Sequence, residues 1–367
     1  RDGDPIRPYV MSGDVIAEFM GVKVDPVETA IKAPLMIVDE LIEPRGTVAQ
    51  GQNGYVIDGA LNDAFTAVNL LFDAGATVRR VDSDAPGVKA GDFIVGAGTA
   101  AATLREIATE TGVDFGSLNS DASSVSHPLS RQRIGMYQRY YGGNMDEGWT
   151  RLLLEDFEFE YTSLFDDHIL EGDLHEKWDV IILPADSKGM MTGIREGGDG
   201  RGGNPNQTPP EYRSGFGQAG IDALEAFVEN GGTLITFAQA GDLPIDEFGL
   251  PIRNAVAGMR GNDFWAPGST LKVDVDLSSR FAYGMPEDAL ATFLAGGQVY
   301  ETVSGARSAD VRRIVTYIDR DILQSGWLLG EEAIANKAAV VSVEHGEGTV
   351  LLIGFRAQHR AQTPGTF

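Results

Sequence analysis

Five histidines (His127, His168, His175, His345 and His359) and no cysteine bound the chemistry open to this 367-residue chain. Without cysteine there is no thiolate nucleophile, no thiolate metal ligand and no disulfide. His168 and Glu171 stand in an H-x-x-E spacing, which can put two zinc ligands on one helical face. A third ligand has to come from His345 or His359, far along the chain, and DDHILEGDLHEKWDV around the pair reads as a polar surface helix feeding a buried strand. No metal ligand is therefore assigned. A covalent nucleophile belongs on a sharp turn between a strand and a helix. The turn after the apolar run TLITF (233–237) reads Ala238-Gln239-Ala240-Gly241-Asp242, with no Ser, Thr or Cys to attack. Asp146 opens a helix just after a strand and a glycine turn, where an acidic residue also complements the helix dipole. Asp186 and Gln239 follow strands, and His359 follows the last one. These four residues, Asp146, Asp186, Gln239 and His359, are the candidate binding crevice, and no catalytic residue is assigned.

Positioning them requires a sheet whose strands end together. Short apolar runs alternate with amphipathic helices along most of the chain, which predicts crossover connections and a mainly parallel sheet covered on both faces. A small α/β domain is expected over 34–130, with strands at 35–42, 54–57, 77–81, 92–95 and 113–115 and helices at 61–74 and 100–111. Residues 121–130 (DASSVSHPLS) read as a linker. The second domain, 131–367, is expected to carry strands at 133–137, 160–164, 178–183 and 233–237 and helices at 145–157, 167–175 and 220–230. A β-rich insertion is expected around 250–330, with strands at 271–277, 299–303 and 313–318. A closing hairpin, 338–343 and 349–355, is expected at an antiparallel edge. Residues 1–33 read as a connector from an upstream domain. Residues 186–217 hold nine Gly and three Pro in 32 positions, a long loop leaving the end of a strand where such sheets bind ligands. Gly96-x-Gly98-x-x-Ala101 reads as a tight strand–helix turn rather than a dinucleotide fingerprint, and GDGRGG (198–203) has neither strand nor helix beside it.

Composition narrows the partners. Lys and Arg number 29 against 54 Asp and Glu, a formal net charge of −25. Such a surface repels the phosphate backbone of nucleic acid and anionic membranes, so neither is expected as a partner. No run of 18 apolar residues is present to span a bilayer. The chain opens Arg1-Asp2-Gly3-Asp4-Pro5, without Met or an apolar leader, and reads as part of a longer protein.

The stretch RIGMYQRYYGGNMDEGWTRLLLEDFEFEYTSL (133–164), with DVIILPADS (179–187), GIDALEAFVENGGTLITF (220–237), APGSTLKVDVD (266–276), YGMPED (283–288) and FRAQHRAQTPGTF (355–367), resembles one family. It is similar to the C-terminal regions of large secreted bacterial zinc carboxypeptidases of the carboxypeptidase A type. The resemblance implies a class I glutamine-amidotransferase-like, flavodoxin-like domain behind a peptidase domain. It implies that the nucleophilic cysteine of true amidotransferases falls near Ala238-Gln239, so the fold is expected without its chemistry. Zinc is expected only in the upstream peptidase domain, with no cofactor in this segment. That domain and peptide substrate are the expected partners, and the expected location is secreted or periplasmic. Departures include Ala266, where relatives often carry Cys, a loosely matching opening RPYVMSGDVIAEFMGV, and an end at Phe367 that reads as missing a final helix. The resulting expectation is a non-catalytic accessory region. A small-molecule or carbohydrate binding module and a metal-independent hydrolase using Asp146 or Asp186 as base are the alternatives.

Overall fold

The computed structural model describes residues 16–22, 25, 27–37, 39, 44–140, 143–194, 215–303, 311–363 and 365. A short helix α1 (Ile16–Phe19) precedes an irregular stretch in which Leu35, Met36 and Ile37 are exposed. The strand expected at 35–42 does not form over the described part, because that run pairs with no other strand; the remainder lies outside the described residues.

The first unit is a five-stranded sheet with two helices. Strands β1 (Tyr55–Ile57), β2 (Val78–Val81), β3 (Phe93–Val95), β4 (Gly116–Ser117) and β5 (Ser126–Pro128) stand in the order β4-β1-β3-β2-β5. Every pairing is antiparallel. Helices α2 (Asp63–Asp73) and α3 (Ala101–Thr111) cover it, each stopping at a left-handed glycine, Gly75 and Gly112. Two expectations are corrected. The run 113–115 is not a strand: Phe115 makes only an isolated bridge to Val48, and the pairing falls at Gly116. The expected linker contains the edge strand β5, held by Arg79, Arg80 and Val81 of β2 and by Arg79 Nε donating to Ser126 Oγ at 2.9 Å. A polar edge strand reads like a loop because only one of its sides is paired.

Among the described residues the second unit is a twelve-stranded mixed sheet. Its parallel heart comprises β6 (Ile134–Tyr137), β7 (Tyr161–Leu164), β8 (Val180–Leu183), β9 (Thr233–Phe237) and β17 (Gly348–Ile353), ordered β7-β6-β8-β9-β17. Numbered among themselves, these strands run 2-1-3-4-5, the flavodoxin-like winding. Strand β16 (Ala338–His345) pairs antiparallel with β17, and β14 (Val311–Tyr317), β11 (Gly268–Val275) and β12 (Asp288–Leu294) extend the sheet beyond it. Short strands β10 (Ile252–Asn254), β13 (Tyr300–Thr302) and β15 (Leu323–Ser325) attach at the side. The closing hairpin is therefore at the middle of the sheet, not its edge: the β-rich insertion supplies the next strands.

Alternate residues of the same strands feed two cores. Ile181 and Leu183 face one and Ile182 the other; Val341 and Val343 oppose Val340 in the same way. Burial on both faces is why these strands read as continuous apolar runs. Helices α5 (Asp166–Leu170), α6 (Leu174–Lys177), α7 (Lys188–Thr192), α8 (Gly217–Glu229) and α9 (Asp242–Glu247) lie on the first face, with Ile221, Leu224, Phe227 and Val228 of α8 buried. The helix expected over 167–175 is broken into α5 and α6 by Gly172 and Asp173, both at positive φ. Helix α4 (Met145–Asp156) lies between β6 and β7 in the chain, and its Leu154 packs on the second core.

The two units meet through specific contacts. Arg80 stacks 3.9 Å over the Phe93 ring with Tyr283 at 5.8 Å, and Tyr283 donates its hydroxyl to Asp82 O at 3.1 Å. Asn69 Nδ2 donates to Phe157 O at 2.8 Å. Burial lowers the Arg80 pKa to about 10.

Candidate functional site

In a 2-1-3-4-5 sheet the winding reverses between the first and third strands, and the crevice opens at their carboxyl ends. Here those strands are β6 and β8. After β6, Asn144 caps α4 by accepting from Asp146 N at 2.9 Å, which fixes Asp146 in the first turn. After β8, Asp186 accepts from Ser187 N at 3.0 Å and Asn144 Nδ2 at 3.4 Å, so Asn144 ties the two strand ends together.

Each buried carboxylate has its own arginine. Arg139 Nε lies 2.6 Å from Asp186 Oδ2, and Arg356 Nε donates to Asp146 Oδ1 at 2.7 Å. Both aspartates are 7% exposed. Burial raises the pKa of each; the partner arginine opposes that rise, and at Asp146 the charge of Asp186 adds to it. Arg356, which follows β17 after Gly354 and Phe355, also donates through Nη1 to Ala295 O at 2.9 Å.

The other two candidates join through Arg356. Gln239 lies over Gly296, next to Ala295: a Cβ on Gly296 would stand 2.5 Å from Gln239 Oε1. His359 sets its ring edge-on to Trp149 of α4 with centroids 5.1 Å apart. Burial, then the charges of Arg360 and Arg356, lower its pKa to about 4, so the imidazole is neutral at pH 7. Its Nδ1 is buried with no hydrogen-bond partner among the described residues, as are both amide atoms of Gln358, which is 3% exposed. The structure thus brings all four candidates to one end of the sheet. The sequence reading missed Arg139, Arg356, Asn144 and Trp149. Its available signal was an arginine placed just past a strand, opposite the acidic residues.

The elbow is formed by Ala238, which follows β9 at φ 46° and is fully buried. A left-handed, non-glycine residue at this turn is the strained geometry that presents a nucleophile in strand–turn–helix enzymes. Here it presents a methyl group.

The remaining motifs take structural roles. His168 Nδ1 accepts from Phe165 N at 3.0 Å within its own helix, and Glu171 pairs with Lys177 at 2.6 Å, so the H-x-x-E pair is spent locally. Gly96 is needed for close packing, since a Cβ there would meet Thr77 Oγ1 at 2.3 Å, and its sheet is antiparallel. The GDGRGG run and most of the loop expected over 186–217 lie outside the described residues. A cleft of about 640 Å³ lies at the opposite, amino ends of β6, β7 and β8, lined by Arg131, Arg133, Tyr161 and Trp178. Its arginines are engaged with Asp73, Glu160 and Asp179. No helix among the described residues is long and apolar enough to cross a membrane.

No protein-family model matches the sequence, and no curated protein matches it. Solved structures do. A protein described as ThuA-like from Bacteroides uniformis is 13% identical, over 68% of this chain and 94% of that one, with a TM-score of 0.36. A protein described as belonging to a GMP synthase, from Thermoplasma acidophilum, is 9% identical, over 63% and 86%, also at 0.36. A β-galactosidase from Bacillus circulans sp. alkalophilus is 11% identical, over 64% of this chain, with a TM-score of 0.34; the match spans only 30% of that enzyme. Nothing about the site follows from likenesses this distant. The strand order itself defines a mixed α/β protein with a flavodoxin-like parallel core and a separate small antiparallel sheet.

Proposed function

We propose that this chain is a non-catalytic accessory region of a secreted or periplasmic protein resembling zinc carboxypeptidases. In this reading the peptidase domain lies upstream and holds the zinc. The crevice around Asp146, Asp186, Gln239 and His359 packs against that domain or presents peptide to it. One observation carries the reading: the elbow residue is Ala238, held in the strained conformation yet without a reactive atom. The arginine partners of Asp146 and Asp186 add support, because they tie up the carboxylates that a hydrolase would use as base.

A second reading, a small-molecule or carbohydrate binding module, is favoured by the amide of Gln358 and Nδ1 of His359, which have no hydrogen-bond partner among the described residues and lie at the switch-point end of the sheet. Saturable thermal shifts with a sugar or nucleotide panel support it.

The test is the intact mass of the native protein from its source, with hydrolase assays on this chain alone. A mass well above 39.3 kDa and an inert chain are expected. A mass near 39.3 kDa moves the assignment to the binding module. Peptide or glutamine hydrolysis by this chain, abolished by Gln239→Ala or His359→Ala, overturns the accessory reading.

A further inference from the structure

On the opposite face of the sheet from α4, two side chains of one helix meet a third from a distant strand. Glu225 and Glu229 lie one turn apart on α8, and His345 ends β16. One donor atom from each falls within 4.8 Å of the others, and His345 Nε2 is 3.2 Å from Glu225 Oε1.

The donors are rigidly mounted. Gly346, at φ +62°, lies so close to the helix that a Cβ there would stand 2.5 Å from Glu229 Cα. Glu347 N donates to Glu229 O at 3.0 Å, clamping the hairpin turn to the last turn of α8. The His345 ring stacks on Phe248, 24° from parallel with centroids 5.7 Å apart, which fixes its plane.

The electrostatics call for a cation. Both carboxylates sit in the last two turns of α8, the negative end of the helix dipole. Among the described residues neither forms an ion pair with Lys or Arg, and the chain carries a net charge of −25. Two carboxylates this close, at this end of a helix, repel each other unless a positive charge lies between them.

We propose that Glu225, Glu229 and His345 bind one divalent transition-metal ion of the zinc class, with water completing the coordination. An imidazole with two carboxylates is a zinc-type donor set. Tetrahedral zinc spaces its donors by about 3.3 Å, which small side-chain rotations reach from the present arrangement. Calcium and magnesium are poorly served, because they need six or more oxygen ligands and do not favour imidazole. The ion staples α8 to the β16–β17 turn. This site is separate from the crevice and independent of the accessory reading.

The experiment is titration of the full chain with zinc chloride alone, followed by calorimetry, with cobalt(II) as a spectroscopic substitute. Expected are one ion per chain, visible cobalt bands of a low-coordinate nitrogen–oxygen site, and a rise in Tm of roughly 2–4 °C. Glu229→Gln and His345→Gln should each weaken binding by more than about tenfold; Glu229 is exposed, so its variant tests ligation without disturbing the core. Three results overturn the proposal: no saturable zinc uptake, uptake unchanged in both variants, or displacement of zinc by equimolar calcium.

Discussion

Arg356 Nε meets Asp146 Oδ1 at 2.7 Å, joining residues 210 positions apart, with 12% and 10% of the two side chains exposed. This pair links the residue just past the fifth parallel strand to the first turn of the helix that follows the first. Asp186, Gln239 and His359 lie at the same end of the sheet as this pair.

Removing one partner of such a buried pair leaves an uncompensated charge. Arg356→Met should destabilise the protein by about 3–5 kcal/mol in urea unfolding. Adding Asp146→Asn to it should recover part of that loss. A loss below about 1 kcal/mol would show that Asp146 is solvated after all.

His359 sets an acid limit on stability. Its folded pKa of about 4 lies below the ordinary 6.5, so between these values the unfolded chain takes up a proton that the folded chain refuses. Its contribution is complete above pH 6.5 and is lost as pH falls towards 4. With the ring's partial solvent contact discounted, the loss is about 1–2 kcal/mol. Asp146 and Asp186, with raised pKa values, act in the opposite sense: their contribution is present at low pH and is lost as pH rises through the raised values. Comparing wild type with His359→Phe by urea unfolding at pH 7 and pH 4.5 isolates the histidine, and equal pH slopes would refute its role.

Ala238 tests the elbow. A left-handed residue carries about 1–2 kcal/mol of strain, which glycine relieves while losing a buried methyl group and adding unfolded-state freedom. Ala238→Gly should therefore stay within about 1 kcal/mol of wild type. Ala238→Val should cost about 3 kcal/mol or more, because a β-branched side chain enters a fully buried, positive-φ position. Thermal melts of the two variants decide it, and equal Tm values would mean that the turn is relaxed.

The docking of the small unit rests on Arg80. Arg80→Ala removes the guanidinium stacked on Phe93 and facing Tyr283, at an expected cost of about 2 kcal/mol. Calorimetry should then show the antiparallel unit melting ahead of the larger sheet. If one transition persists at an unchanged midpoint, the interface is carried by Asn69 and Arg131 instead.

The amino-acid sequence by itself determined the elements whose signal is local. Runs such as WDVIIL and TLITF are apolar throughout because their strands are buried on both faces, and helices such as α2 and α3 end at glycines that tolerate positive φ. The polar residues expected past the strands, Asp146, Asp186, Gln239 and His359, followed from the same alternation. Tertiary structure alone decided what pairs with what. The edge strand β5 looked like a linker because one polar flank is unpaired, and the closing hairpin looked like an edge because β14, β11 and β12 reach it only through long-range pairing. Arg356 and His345 carry no local signature at all. Each gains its partner, Asp146 or Glu225, only when β17 pairs with β9 and brings chain segments more than a hundred residues apart into contact.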